Sequence, residues 1–225
     1  MKRRLVVAIT GASGAVYGVR LLEVLLAAGC DVYLSISGAA QTVLQHELGV
    51  RVDLEKFCLS QLIPGPTAQL GVAPPGSAPA DAPQQPSGTS DDASPAPGRL
   101  QYCHYMDFSA PIASGSLRTD GMVICPCSCG TLSAIVHGSS ANLIHRTAEV
   151  HLKERRKLIL VPRETPLSIT HLDNMKRAAQ SGAIILPAMP GFYHRPKSVG
   201  ELVDFVVSRI CDQLGVDNNL IRRWG

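Results

Sequence analysis

Residues 5–10, LVVAIT, form a short apolar, β-branched run that stops at a turn, GASG, and gives way to helical periodicity over residues 15–28. A strand apolar on both faces must be covered on both, and a strand, a turn and a helix in that order bring the chain back parallel to where it began. Val19, Leu22, Leu25 and Leu26 share one helix face, Gly29 stands where a C-cap belongs, and residues 31–37 read as a second strand. The unit recurs. Residues 122–125, 158–161 and 183–186 are apolar strands, each followed by polar or Gly/Pro residues and a helical pattern. This alternation constrains the fold to α/β, an open, mainly parallel sheet with helices on both faces, three layers in all.

With 225 residues, 45% of them hydrophobic, the chain suits one domain over residues 1–225. One segment interrupts it. Residues 64–99 hold nine of the sixteen prolines and almost no large apolar side chains. They cannot bury enough surface to offset their ordering, so a disordered surface insertion is expected there, with the sheet resuming near Leu100. A net charge of +3 with scattered basic residues excludes a continuous cationic face, so neither nucleic acid nor a membrane is an expected partner. The start, MKRRLVVAITGASGA, has the charge of a signal peptide, but its apolar run before Gly11 is too short for a secretory core. A cytoplasmic protein with seven reduced cysteines is the expectation.

Three of those cysteines stand in CPCSCG, residues 125–130. The pattern lacks the C-x-x-C of a redox pair or a zinc site, and Pro126 should point the thiols in different directions, so no metal is expected. The stretch reads as a strand ending at Cys125, a turn, and a helix beginning at Thr131. Ser128 and Thr131 then sit at a helix N-terminus, where hydroxyls either cap the helix or join its free N–H groups in holding a phosphate. Three other strand ends bear on that choice: Ser13 after the first strand, Ser37 after the second, and Arg163 with Glu164 after KLILVPRE. In a Rossmann-like (flavodoxin-like) sheet these ends share one edge, where ligands bind. They describe a site for a phosphate-bearing, nucleotide-like ligand.

GASGAVYGVRLL, CPCSCGTLSAIVHG, LKERRKLILVPRETPLS, HLDNM and GAIILPAMPGFYHRP together resemble the flavin prenyltransferase (UbiX-type) family over nearly the whole chain apart from the insertion. The resemblance implies transfer of a dimethylallyl group from dimethylallyl phosphate to N5 and then C6 of reduced FMN, without metal. The product, prenylated FMN, would serve a UbiD-type decarboxylase. It assigns flavin contacts to Gly11, Ala12, Ser13, Ser37, Ser128, Cys129, Gly130, Thr131 and Arg163. It assigns the prenyl phosphate to Arg146, Lys153, Glu164, Tyr193 and Arg209, some from a neighbouring subunit of a homo-oligomer, a dodecamer in this family. Glu164, Glu47, Ser13 and Lys153 are the implied catalytic set.

Each assignment has a structural rival. Lys153 is spaced for an i,i+4 ion pair with Glu149, Arg209 interrupts an apolar helix from which it could snorkel, and Tyr193 suits a core. Phe108 stands where some members carry Trp, and Cys129 and Gly130 occupy variable turn positions. Two rival functions share the flavin site: a cysteine decarboxylase-like enzyme and an inactive flavin-binding subunit. The PxMNxxMW motif of the former is absent, and PAMPGFYHRP stands in its place.

Overall fold

The computed structural model describes residues 2–63 and 97–223. Six strands, β1 (Arg4–Ile9), β2 (Asp31–Ile36), β3 (Leu100–Tyr102), β4 (Gly121–Cys127), β5 (Leu158–Pro162) and β6 (Ile184–Ile185), form one sheet in the order β3-β2-β1-β4-β5-β6. Every neighbouring pair is parallel. The helices are α1 (Ala15–Ala27), α2 (Gly38–Leu48), α3 (Cys129–Val136), α4 (Leu143–Lys153), α5 (Ile169–Gln180) and α6 (Val199–Leu214). α1, α2 and α6 cover one face through Leu22, Leu25, Leu44, Val207 and Ile210, while α3, α4 and α5 cover the other through Leu132, Leu143, Ile144, Ala148 and Ala178. Each such Leu, Ile or Val contributes about 1.5–3 kcal/mol by leaving water, which holds the three layers together.

α1 and α6 are also clamped by charge. Arg20 is buried between them, with Nε donating to Asp204 Oδ1 at 2.7 Å and Nη1 to Glu23 Oε2 at 3.0 Å. Burial raises the Asp204 pKa in spite of the opposing guanidinium. Among the described residues no helix is long and apolar enough to cross a membrane.

Local details depart from the sequence reading in three places. β4 continues past Cys125 to Cys127, with a register shift between Ile124 and Cys127. The shift reverses the alternation, so Cys125 packs under α1 and α6 while Cys127 packs under α3, α4 and α5. α3 accordingly starts at Cys129 rather than Thr131. The third departure concerns the insertion. Residues 64–96 lie outside the described residues, but its last three residues are held by the fold. Gly98 N donates to Leu26 O at 2.8 Å, Val32 N to Arg99 O at 2.7 Å, and Arg99 N to Asp31 Oδ1 at 3.2 Å. Gly98 approaches so closely that a Cβ there would lie 2.0 Å from Cys30 O.

Candidate active site

The chain leaves β1 toward β2 on one side and leaves β4 toward β5 on the other, so the strand order reverses between β1 and β4. A crevice opens at the carboxyl ends of strands at such a point. Thr10, just past β1, stitches its two walls. Its hydroxyl donates to Pro126 O at 2.8 Å and accepts from Ser128 N at 2.8 Å. The turn that follows presses on α2, since a Cβ on Gly11 would stand 2.5 Å from Ala39 Cβ.

Three helices begin at this edge, and each has a different first turn. Ser37 caps α2 by accepting from Ala40 N at 3.2 Å. Ser128 caps α3 by accepting from Thr131 N at 3.2 Å, while its own proton goes to Thr131 Oγ1 at 3.0 Å. Neither first turn carries an acidic residue. α1 has no side-chain cap of its own, because its N-cap is Gly14, at φ 100°. Instead the Glu47 carboxylate reaches over from α2 and accepts from Gly14 N and Ala15 N, both at 2.9 Å to Oε2.

β5 supplies the fourth wall. Arg163 Nε donates to Ser13 O at 3.1 Å, tying the end of β5 to the β1–α1 turn. Tyr17 packs beneath, its ring within 2.9 Å of where a Gly14 Cβ would be. Burial raises the Tyr17 pKa, and nearby Arg163 opposes that rise. The Cys129 thiol is raised by burial and by the Glu164 carboxylate, against Arg163, which places all three in one neighbourhood. Glu164 Oε1 accepts from Thr165 N at 3.1 Å. Two serine-capped helix starts without carboxylates, beside an arginine, fit the phosphate of a mononucleotide.

The prenyl-phosphate group of residues does not gather here within one chain. Arg146 pairs with Glu149 at 3.1 Å and donates from Nε to Ala113 O at 3.2 Å. That partnership displaces the expected Glu149–Lys153 pair, and Lys153 pairs with Glu154 instead. Lys153 is also at the wrong end of the sheet. It closes α4 next to His151, whose Nε2 meets Thr119 Oγ1 just before β4 begins, whereas Glu164 follows the far end of β5. Five strand residues, about 16 Å, separate the two ends. Arg209 pairs with Asp212 at 3.0 Å and borders a groove of about 250 Å³ lined by Ile184, Leu186, Met189 and Phe205. Tyr193 meets Phe205 edge to face at 5.6 Å, so these two predicted residues flank one patch. Phe108 is exposed.

A family model described as Flavoprotein matches residues 1–211. A flavin prenyltransferase UbiX of Pseudomonas aeruginosa is 44% identical over 222 residues, covering 99% of this chain and 94% of its own. The chain belongs to the UbiX-type flavin prenyltransferases of the Flavoprotein family. Two solved UbiX-type structures share its shape. AnUbiX in complex with FMN and dimethylallyl pyrophosphate superposes with a TM-score of 0.76 at 35% identity, covering 100% of this chain and 98% of its own. A dodecameric FMN-dependent UbiX-like decarboxylase from Escherichia coli gives 0.74 at 34%, covering 99% and 98%.

For a UbiX-type chain, reasoning from sequence passed over two crevice residues, Thr10 and Tyr17. Thr10 carried a signal, a hydroxyl closing an otherwise apolar strand. Tyr17 carried none, because its neighbour Arg163 is far along the sequence.

Proposed function

We propose that the chain joins the dimethylallyl group of dimethylallyl phosphate to N5 and then C6 of reduced FMN, and that the prenylated FMN goes to a UbiD-type decarboxylase. One observation carries the reading: the switch-point crevice, with its two serine-capped helix starts and Arg163, is intact in a chain whose relatives bear this activity's name. Ser37, Ser128, Thr131 and the first-turn N–H groups of α2 and α3 hold the flavin phosphate, with Gly11, Ala12, Ser13, Cys129 and Gly130 shaping the crevice. When bound, reduced FMN supplies the nucleophilic edge.

Glu164 stands beside Arg163 where the two ligands meet, and it manages the proton on the departing phosphate or on the flavin. Arg146, Lys153, Tyr193 and Arg209 meet the phosphate as its charge grows, and positive groups in a dry site act most strongly there. At least Lys153 does so for a neighbouring subunit, since its own Glu164 lies at the other end of the sheet. A dodecameric assembly like that of the Escherichia coli relative supplies such neighbours. The chain acts as one flavoprotein domain. All seven cysteines are free thiols, in keeping with the cytoplasm.

Anaerobic incubation with reduced FMN and dimethylallyl phosphate, followed by mass analysis, tests the reading. A flavin heavier by one dimethylallyl unit is expected. Decarboxylation of a cysteine peptide with no change in flavin mass would favour the cysteine decarboxylase reading instead.

A further inference from the structure

In a sheet of this strand order, the N-terminus of α1 is where a dinucleotide's phosphates are ordinarily held. Here an anion already occupies it. Glu47, in the last turn of α2, lays its carboxylate across the first turn of α1. Oε2 accepts from Gly14 N and Ala15 N at 2.9 Å each, and Oε1 accepts from Gly14 N at 3.1 Å. α1 has no competing acceptor of its own, with no side-chain cap and no acidic residue in its first turn. The contrast with α2 and α3 is one of kind. Their starts are closed by serine hydroxyls, and that of α1 by a carboxylate contributed from elsewhere in the fold.

We propose that Glu47 is a built-in substitute for phosphate, closing the start of α1 so that a nucleotide's phosphate can enter only at α2 and α3. It is a specificity-determining residue that acts through the GASG turn, in place of the catalytic role that the family resemblance implies for Glu47. A phosphate arriving at α1 must displace charge-assisted hydrogen bonds and then lie beside the carboxylate it displaced. The sequence of the turn agrees. GASGAVYG lacks the G-x-G-x-x-G spacing that lets a pyrophosphate approach, and Tyr17 occupies the space under Gly14. The choice of ligand rests on the flavin reading; the closure of α1 does not.

The test is thermal unfolding of the FMN-loaded protein under titration with inorganic pyrophosphate, for the wild type, Glu47→Gln and Glu47→Ala. The wild-type response, from other cationic groups, is the baseline. Opening α1 should give Glu47→Ala at least about tenfold tighter pyrophosphate binding than wild type, read from the rise in Tm, with Glu47→Gln between them. A residue that merely braced the turn would lower Tm without creating any anion response. Equal pyrophosphate binding in all three proteins would overturn the proposal. So would loss of FMN binding in a folded Glu47→Gln, since that would mean the carboxylate touches the flavin itself. Should the Ala variant not fold, the isosteric Gln variant decides alone. A wild type that takes up no FMN would defeat the flavin reading, while the same titration on unloaded protein would still test the closure.

Discussion

The crevice between β1 and β4 and the four residues Arg146, Lys153, Tyr193 and Arg209 differ in what holds them: the crevice residues come together within one chain, whereas these four lie on helices of opposite faces and beyond β6. In the crevice, bonds cross between elements. Thr10 joins β1 to the β4–α3 turn, Arg163 joins β5 to the β1–α1 turn, and Glu47 joins α2 to α1. Among the four, each cation is paired with a carboxylate of its own helix or the next residue: Arg146 with Glu149, Lys153 with Glu154, and Arg209 with Asp212. Met189, Phe192 and Tyr193 are also exposed. Pairs of this local, half-exposed kind contribute about 0–1 kcal/mol and are easily exchanged. The difference teaches that the half proposed to hold the flavin is fixed by bonds between elements, whereas the half proposed to meet the phosphate is held only by local pairs.

The largest effect should come where the halves meet. Glu164→Gln keeps the size and the contact to Thr165 N but cannot exchange a proton. Single-turnover product formation should fall by about 10² or more while FMN affinity changes little. Near-normal turnover would remove Glu164 as the proton group, and lost FMN binding would make it part of the crevice.

A second substitution probes whether the crevice is as self-contained as described. Thr10→Val deletes the bond to Pro126 O and leaves Ser128 N without its acceptor, which should cost about 1–3 kcal/mol in denaturant unfolding and weaken FMN binding with it. Unchanged stability and FMN affinity would show that the stitch is dispensable.

The smallest effect belongs to α4, the helix of Arg146 and Lys153. His151 donates from Nδ1 to Thr147 O at 2.8 Å and is buried, and burial holds its pKa below the ordinary 6.5. A folded-state pKa below the unfolded one gives stability that is full above about pH 6.5 and lost as the pH falls through the folded value. Tm should therefore decline from pH 7 toward 5, and less so in His151→Gln. An identical decline in the variant would place the acid sensitivity elsewhere.

What could be seen in the sequence was what is local. The runs that became β1, β2, β4 and β5, and the face of α1 with Val19, Leu22 and Leu25, follow from side-chain period and need no knowledge of the rest. So do Ser37 at the end of a strand and Ser128 as a hydroxyl in the turn before a helix. The bonds that finish the crevice were not visible, because Thr10 and Ser128 are 118 residues apart and Glu47 and Gly14 are 33 apart. Gly98 was grouped with the Pro-rich segment on composition, yet its place is set by the Cys30 carbonyl, which only the folded chain brings near. The start of α3 was placed two residues late because Cys129 and Gly130 read as turn residues, whereas the register shift in β4 delivers Ser128 as the cap. Lys153 was marked by resemblance alone, and in this chain it pairs with Glu154 at the other end of the sheet from Glu164.

Mixing variants tests most directly whether the two halves of a site come from different copies of the chain. Glu164→Gln and Lys153→Ala homo-oligomers should each be nearly inactive in forming prenylated FMN. Dissociated and reassembled together, they should regain a substantial fraction of wild-type turnover, because some interfaces then pair an intact Glu164 with an intact Lys153 from a neighbour. Mixed oligomers, verified by mass, that stay as inactive as their parents would place both residues in one chain's site and contradict the account.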